Sequence, residues 1–219
     1  MTTPSSLTEG SGTPLPAIVG GKVMIATAEQ PNSLQEIAFG DFLAKRSSGA
    51  EPDSGLTNAL MACLSAGIEV VSVLPEWVEL RVPSDLAVIS PLQELLTQLE
   101  KGISPEVSEA ISGAFREMLC NAVEYGGQLD PAALVEVRLV RLKHSFLCRI
   151  KDPGRGFDPS SLEHAAINNP KDDPVRHSFV REEKGLRGGG FGILIASQLV
   201  DDLVYNEQHN EVLFIKYLS

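Results

Sequence analysis

Cysteine is scarce in this 219-residue sequence, which contains only Cys63, Cys120 and Cys148. The three are far apart, and none has the CxxC or Cys/His spacing that redox pairs and zinc sites use. We therefore interpret them as buried, reduced thiols of a cytosolic protein. Neither a redox pair nor a zinc site is expected.

Positive charge is also in short supply. Lys and Arg number 18 against 29 Asp and Glu, so the formal net charge is −11. A nucleic-acid partner is not expected, because nucleic-acid binding depends on basic residues that neutralise phosphates. Opposite electrostatic fields steer association, so a basic protein surface is the better candidate partner.

A long apolar run is missing as well. The longest apolar stretch, 56–74, is interrupted by polar residues, whereas a membrane-spanning helix needs about 20 mostly apolar residues. Residues 1–16 have neither the basic start nor the apolar segment of a signal peptide. We predict a soluble, cytoplasmic protein that makes no membrane contact.

The composition that remains is that of a globular protein. Hydrophobic residues make up 43% of the chain, which is enough to fill a core. We divide the chain into a disordered leader (1–20), an N-terminal extension of unknown role (21–76) and a main domain (77–219). In the extension, the pattern predicts a strand, two helices and a strand, at 22–28, about 33–46, 56–66 and 68–74.

The main domain is predicted to follow the order β-α-α-β-β-loop-α-β-β. The predicted segments are a strand at 76–82, a helix ending near 101, a helix at 105–125, a hairpin at 134–142 and 146–151, a polar segment at 158–186, a helix at 192–201 and a hairpin at 203–206 and 211–218. Short turns between strands favour an antiparallel or mixed sheet. Three amphipathic helices can cover one face of that sheet, so the predicted fold is a two-layer α/β (α+β) sandwich.

Glu117 and Asn121 form the first candidate site. Steps of four and three residues place them on one line of a helix with Ala110 and Ala114. A carboxylate that faces inward is costly unless something offsets its desolvation. A hydrated Mg²⁺ bound through Asn121 would do so, and Glu117 could then act as a general base. Taken alone, the pair is also what a solvated helix face would show.

The second candidate site is the segment from Asp152 to Phe157, which reads Asp-Pro-Gly-Arg-Gly-Phe directly after a predicted strand. Gly154 and Gly156 let the backbone approach a flat ligand without hindrance from a Cβ atom. Asp152 can accept a hydrogen bond from an exocyclic amine such as that of adenine, and Phe157 offers ring contact. The alternative is a tight turn, for which Asp-Pro-Gly is well suited.

The third candidate site is the segment from Arg187 to Gly192, which reads Arg-Gly-Gly-Gly-Phe-Gly and opens a predicted helix. Backbone N–H groups and the positive dipole end at such a helix start can bind phosphate. Lys184 and Arg187 are close enough in sequence to add charge. The segment is neither a Walker A loop nor a Rossmann fingerprint, because no Gly-Lys-Ser/Thr follows it and no βαβ unit surrounds it. A flexible glycine hinge is the alternative.

In this order, the three segments resemble the N, G1 and G2 boxes of the GHKL superfamily of gyrases, chaperones and histidine kinases. The resemblance covers about residues 77–219. Within the superfamily, the sequence most resembles the anti-sigma-factor serine/threonine kinases, bacterial regulators that work by partner switching. Three features carry this closer resemblance. The first is the compact start, a strand at 77–82, a helix and a Ser-Pro-Glu entry into the next helix. The others are Glu117 four residues before Asn121, and the G2 sequence Gly188-Gly-Gly-Phe-Gly-Ile-Leu-Ile with the strand that follows it.

The resemblance implies a Bergerat-type fold that binds ATP and Mg²⁺. Asn121 would bind Mg²⁺, Asp152 would bind adenine and residues 158–187 would be the ATP lid. Glu117 would accept the serine proton, and Arg187 would offset charge on the transferred phosphoryl group. The other ATP contacts implied by the resemblance are Gly154, Gly156, Phe157, Lys184, Gly188, Gly190 and Gly192.

The function implied by the resemblance is phosphorylation of a STAS-type anti-anti-sigma protein by a kinase that also binds a sigma factor, in a branch whose members suggest a homodimer. Two alternatives stay open. The first is a non-catalytic module that sequesters a partner under nucleotide control, since Tyr125 stands where the family usually has His and Arg187 is shifted by about one residue from the family's arginine. The second is a histidine kinase domain, which would have to act in trans. His144, His164, His177 and His209 lie outside any long upstream helix, and we interpret them as surface residues.

Overall fold

The computed structural model describes residues 17–19, 22–27, 30–38, 54–74, 77–185 and 189–218. The helices in these ranges are α1 (Ser54–Ser65), α2 (Ile89–Leu99), α3 (Pro105–Asn121), α4 (Arg176–Glu183) and α5 (Gly192–Leu199). The strands are β1 (Ala17–Val19), β2 (Lys22–Thr27), β3 (Gln30–Ala38), β4 (Glu69–Leu74), β5 (Trp77–Pro83), β6 (Leu134–Arg141), β7 (Ser145–Lys151), β8 (Asp202–Tyr205) and β9 (Glu211–Tyr217). None of these helices combines the length and the apolar character that crossing a bilayer requires.

Strands β4 to β9 form one sheet in the order β4-β5-β6-β7-β9-β8. Its neighbouring strands all pair antiparallel. The pairs β6–β7 and β8–β9 are the two hairpins that the alternating pattern predicts. The loop after β7 and the turn between β8 and β9 therefore lie at the same end of the sheet, because β9 runs antiparallel to β7 beside it.

One face of this sheet carries the core. Alternate residues of the central strands are buried, among them Leu80, Val137, Cys148 and Phe214, as expected for strands with one covered face. Helices α1, α2, α3 and α5 contribute their apolar residues to the same core. The two-layer α/β sandwich is confirmed: the three predicted helices are α2, α3 and α5, and α1 adds a fourth beside α2.

Part of the predicted extension belongs to this core. Helix α1 packs against α2, and β4 pairs with β5 at the edge of the sheet. The sequence predicts both elements, at 56–66 and 68–74, and the structure confirms them. Of the predicted leader, residues 17–19 form β1 and the rest lie outside the described residues. The limits of the leader, the extension and the main domain stay predictions.

The helix predicted at about 33–46 is wrong over residues 33–38, which belong to β3. This strand pairs antiparallel with β2, from Lys22 opposite Ala38 to Thr27 opposite Gln30. Leu34, Ile37 and Ala38 have helical spacing in the sequence, but pairing with β2 satisfies the backbone groups of this segment. Residues 39–46 lie outside the described part of the chain.

A buried carboxylate joins the end of α2 to α3. Glu100 is only 4% exposed, and it accepts hydrogen bonds from the Ser108 hydroxyl at 2.5 Å and the Ser112 hydroxyl at 3.2 Å. Burial raises the pKa of Glu100, and the two serine hydrogen bonds offset part of that rise. The ionised carboxylate is therefore less favoured in the folded protein than in the unfolded chain.

We expect Glu100→Gln to be more stable than the wild type near neutral pH and equally stable in acid. In the unfolded chain Glu100 loses its proton at a pKa of about 4.3, whereas the folded protein holds that proton to higher pH. The stabilising contribution of Glu100 is thus complete below the unfolded pKa and is lost as pH rises through the folded pKa. Urea unfolding of both proteins from pH 4 to pH 8 measures the difference. A difference that does not change with pH, or one equally large for the exposed Glu94→Gln, would contradict this assignment.

Candidate functional site

A cavity of about 1120 Å³ lies between α3, the loop after β7, the segment before α4 and the start of α5. This volume suits a sizeable small-molecule ligand. All three candidate sites of the sequence contribute to its walls. The predicted residues that line it are Glu117, Asn121, Asp152, Gly154, Gly156, Phe157, Gly190 and Gly192.

The start of α5 meets the C-terminal part of α3 at this cavity. A Cβ atom placed on Gly192 would lie 2.8 Å from Glu117 Oε2 and 3.4 Å from Asn121 Nδ2. Glu117 and Asn121 are one helical turn apart, so both side chains point at the glycine-rich entry to α5. The solvated helix face, the alternative for this pair, does not fit this placement, because both residues are half-buried and line the cavity.

The end of α3 meets the loop after β7 in a similar way. The helix continues past Asn121 into a π turn over Ala122–Gly126, with Gly127 N–H donating to the Ala122 carbonyl at 2.8 Å. A Cβ atom on Gly126 would lie 2.3 Å from Asp152 Cβ, which is closer than two carbon atoms can pack. Only glycine lets the π turn and Asp152 share this space. Such π turns are frequent at functional sites.

Asp152 is a half-buried carboxylate on the cavity wall. Its Oδ1 accepts a hydrogen bond from the Gly154 N–H at 2.8 Å. Burial raises the pKa of Asp152, and the hydrogen bonds from backbone N–H groups offset part of that rise. The side chain thus sits in a partly dry environment, where a hydrogen bond to a ligand amine is stronger than in water.

Three aromatic rings surround the same part of the cavity. The Phe157 ring lies 5.6 Å from that of Tyr205 and 5.3 Å from that of His209, centroid to centroid. Burial and the nearby Asp152 carboxylate raise the pKa of Tyr205 to about 12, and its hydroxyl contacts Met118 Sδ at 3.3 Å. The sequence predicts Phe157 here but not Tyr205 or His209, because these two come from the last hairpin, about 50 residues further along the chain.

Residues 164–181, between the second and third candidate sites, contact the glycine-rich segment at Gly190. The Ala166 N–H donates to the Gly190 carbonyl at 2.8 Å, and Arg181 Nη1 donates to the His164 carbonyl at 3.2 Å. The predicted polar segment is therefore not all loop: it contains α4 and short 3₁₀ turns, and it closes one wall of the cavity. Arg181 is buried in this wall, although its sequence context, a run of charges, is typical of a solvated surface.

His177, on α4, is fully buried, so its interpretation as a surface residue is wrong. Its ring packs edge-on against Phe191 at 4.3 Å. Asn169 holds it from the other side, with Oδ1 accepting from the His177 N–H at 2.9 Å and Nδ2 lying 2.7 Å from His177 Nδ1. Burial and the adjacent Arg181 lower the pKa of His177. A neutral ring can accept at Nδ1 from Asn169. The ring contact between His177 and Phe191 joins this segment to the residue that precedes α5.

Comparison with known proteins identifies the family to which this chain belongs. Residues 82–216 match the family described as "Histidine kinase-like ATPase domain". The chain belongs to this family. The serine-protein kinase RsbW of Oceanobacillus iheyensis is 24% identical over 147 residues, which are 66% of this chain and 88% of that protein. The GHKL resemblance predicted from the order of the three segments is thus confirmed.

Of the two positive charges predicted for this histidine kinase-like ATPase domain, Lys184 lies within the described residues. Lys184 follows α4, is exposed, and pairs with Glu163 at 3.7 Å; it is not among the residues that line the cavity. Arg187 and Gly188 lie outside the described residues. Arg181 and Arg155 are the arginines on the cavity wall within the described ranges, and the sequence assigns a role to neither.

Proposed function

We propose that this chain is an ATP-binding serine/threonine protein kinase of the anti-sigma-factor type. The observation that carries the proposal is the meeting of Glu117, Asn121 and Gly192 at one point of the cavity. A carboxylate and an amide beside a glycine-rich helix start place a base, an oxygen ligand and a phosphate-binding backbone together. The serine-protein kinase name of the relative in Oceanobacillus iheyensis supports the same activity.

The residues around the cavity fit a nucleotide with its magnesium ion. The rings of Phe157 and Tyr205 and the Asp152 carboxylate form a partly buried wall, in which Asp152 is the hydrogen-bond acceptor for adenine. Asn121 would hold Mg²⁺ through its amide oxygen. Among the described residues, no three His, Cys, Asp or Glu side chains cluster as metal ligands, which fits a cation held mainly by phosphates and water. When bound, ATP supplies the phosphoryl group, and Mg²⁺ supplies the positive charge that offsets the negative charge of the phosphates.

The protein's own part in transfer is mainly to position groups and to move one proton. Glu117 would accept the proton of the substrate serine. It lies on the same cavity wall as Gly190 and Gly192, which would border the phosphates. Gly154 and Gly156 would let the adenine-binding loop approach the base. We propose Arg187, with Lys184 as substitute, as the charge that stabilises the transferred group, and Gly188 as a further phosphate contact.

The proposed substrate is a STAS-type anti-anti-sigma protein, and the proposed second partner is a sigma factor, so the kinase would regulate transcription by partner switching. A cytoplasmic location and a homodimer are part of this proposal. The net charge of −11 favours partners with basic surfaces and disfavours nucleic acid. The second candidate function is a non-catalytic nucleotide-controlled module, which the outward position of Lys184 favours.

The proposal is tested with the full chain, radiolabelled ATP and purified STAS-domain proteins of the same organism. We expect nucleotide binding that depends on Mg²⁺, and label on a serine of one STAS protein. Phosphoserine survives acid whereas phosphohistidine does not, so acid-labile label would indicate a histidine kinase acting in trans. Nucleotide binding without label on any partner would favour the non-catalytic module. No binding of adenine nucleotides, with or without Mg²⁺, would end the proposal.

Gly126→Ala is expected to weaken ATP binding on the order of 10-fold and to destabilise the fold by about 1–3 kcal/mol. The added Cβ would overlap Asp152, so either the carboxylate or the π turn must move. Titration calorimetry with Mg·ATP and urea unfolding measure the two effects. If affinity is unchanged while stability falls, Asp152 does not contribute to nucleotide binding.

A further inference from the structure

The turn between β8 and β9 holds the loop that carries Asp152. The Asp152 N–H donates to the Asn210 carbonyl at 2.9 Å, and Asn210 Nδ2 donates to the Gly154 carbonyl at 3.0 Å. One residue of the hairpin thus binds the loop at two points, on either side of Pro153. We call these two hydrogen bonds of Asn210 the clamp. The Gly154 N–H in turn donates to the Asp152 carboxylate, so Gly154 connects the clamp to the carboxylate.

The orientation of the Asn210 side chain is fixed by a second asparagine. Asn206 Nδ2 donates to Asn210 Oδ1 at 2.8 Å, while Asn206 Oδ1 accepts from the Asn210 N–H at 3.1 Å and the Glu211 N–H at 3.2 Å. Because Asn210 Oδ1 already accepts from Asn206, its Nδ2 must face the Gly154 carbonyl. A flipped amide would place two acceptors against each other at Gly154 and two donors against each other at Asn206.

The loop and the turn are also packed tightly against each other. Gly156 has φ +79°, and a Cβ atom there would lie 1.6 Å from the Gln208 carbonyl oxygen. On the same turn, the His209 ring packs on Phe157. The turn therefore contacts the loop along its length from Asp152 to Phe157.

We propose that Asn210 is a positioning residue that sets adenine selectivity by holding the Asp152 carboxylate in place. The inference rests on the proposed function, in which Asp152 accepts from the exocyclic amine of adenine. Removal of the Asn210 amide leaves the Gly154 carbonyl without this donor and loosens Gly154, the residue whose N–H orients Asp152 Oδ1. If the Asp152 carboxylate is not held in place before binding, its ordering costs binding free energy. The protein then loses affinity only for ligands that form a hydrogen bond with this carboxylate.

The test compares ATP with purine riboside triphosphate, which has the same purine frame but no exocyclic amine. Affinities of wild type and Asn210→Ala for both nucleotides are measured by calorimetry with Mg²⁺ present. We expect the variant to bind ATP about 10-fold more weakly, the equivalent of one hydrogen bond, and to bind the analogue within about 2-fold of wild type. Selectivity for ATP should therefore collapse.

Two further variants serve as a second test and as a control. Asn210→Asp retains the size of the side chain but turns an acceptor toward the Gly154 carbonyl, so it should lose the same selectivity even if Asn210→Ala folds poorly. Gln208→Ala changes an exposed side chain of the same turn and should behave as wild type.

Equal losses for both nucleotides would overturn the inference, because Asn210 would then only support the fold of the site. No loss for either nucleotide would overturn it as well. If wild type binds both nucleotides equally, the result contradicts the adenine-binding role of Asp152. If wild type binds neither nucleotide, the result contradicts the proposed function itself. These last two results are distinguishable from failure of the inference alone, because they appear before any variant is measured.

Discussion

Glu117→Gln is expected to lower phosphoryl transfer to the proposed STAS-type substrate by about 10²- to 10⁴-fold while leaving ATP affinity within about 2-fold of wild type. Glutamine keeps the shape of the side chain beside Gly192 but cannot accept the serine proton. Glu117 lies on α3, whose buried residues Ala114, Phe115, Met118 and Leu119 fix its direction. The variant should therefore leave the cavity intact and remove one chemical step. Single-turnover transfer and calorimetric binding of Mg·ATP measure the two quantities separately.

The matched control is Glu109→Gln, which removes the same charge from an exposed position of the same helix. It should transfer and bind as wild type does. Transfer at the wild-type rate by Glu117→Gln would show that Glu117 is not the base. A loss of ATP affinity as large as the loss of transfer would also contradict the assignment, because a base acts on the transition state and not on nucleotide binding.

The sheet and the helices on it could be predicted because their signals are local. The alternation of Val135, Val137 and Leu139 in β6, and of Phe146, Cys148 and Ile150 in β7, is the burial pattern that the structure has. A strand with one covered face carries that pattern whatever its partners are. The same holds for the leucines of α2, which are buried at helical spacing.

The meeting of the candidate sites could be predicted only from their order in the sequence. No local rule places Gly192 beside Glu117, 75 residues away in the chain. The resemblance of three segments in one order supplied that information. The clamp on Asp152 escaped prediction for the same reason: Asn206 and Asn210 are typical turn residues, and their contact with Gly154 depends on β9 lying beside β7.

Two segments escaped prediction for other reasons. In β3, pairing with β2, the strand directly before it, outweighs the helical spacing of the apolar residues, and that spacing alone does not reveal the pairing. Helix α4 reads Arg-His-Ser-Phe-Val-Arg-Glu-Glu and has no continuous apolar stripe. Its buried residues are His177 and Arg181, so its inner face is polar and a hydrophobic pattern cannot reveal it.

Asn121→Ala is expected to weaken Mg·ATP binding by about 10- to 100-fold and to remove most of the effect of Mg²⁺ on affinity. If Asn121 holds Mg²⁺ through its amide oxygen, Mg²⁺ and the nucleotide should each strengthen the binding of the other in wild type. Alanine retains the helix but has no oxygen to offer. Calorimetric titrations of ATP with Mg²⁺ and with a chelator give the coupling for each protein.

Arg116→Ala, an exposed change on the same helix, is the control and should keep the wild-type coupling. The comparison separates a metal role from a simple contact with the nucleotide. If Asn121 only touched the nucleotide, the variant would lose the same affinity in the chelator as in Mg²⁺, since no cation would be involved in the missing contact. If it holds the cation, wild type and variant should bind nucleotide alike in the chelator and differ only when Mg²⁺ is present. Without that difference, Asn121 is not a ligand of the metal ion.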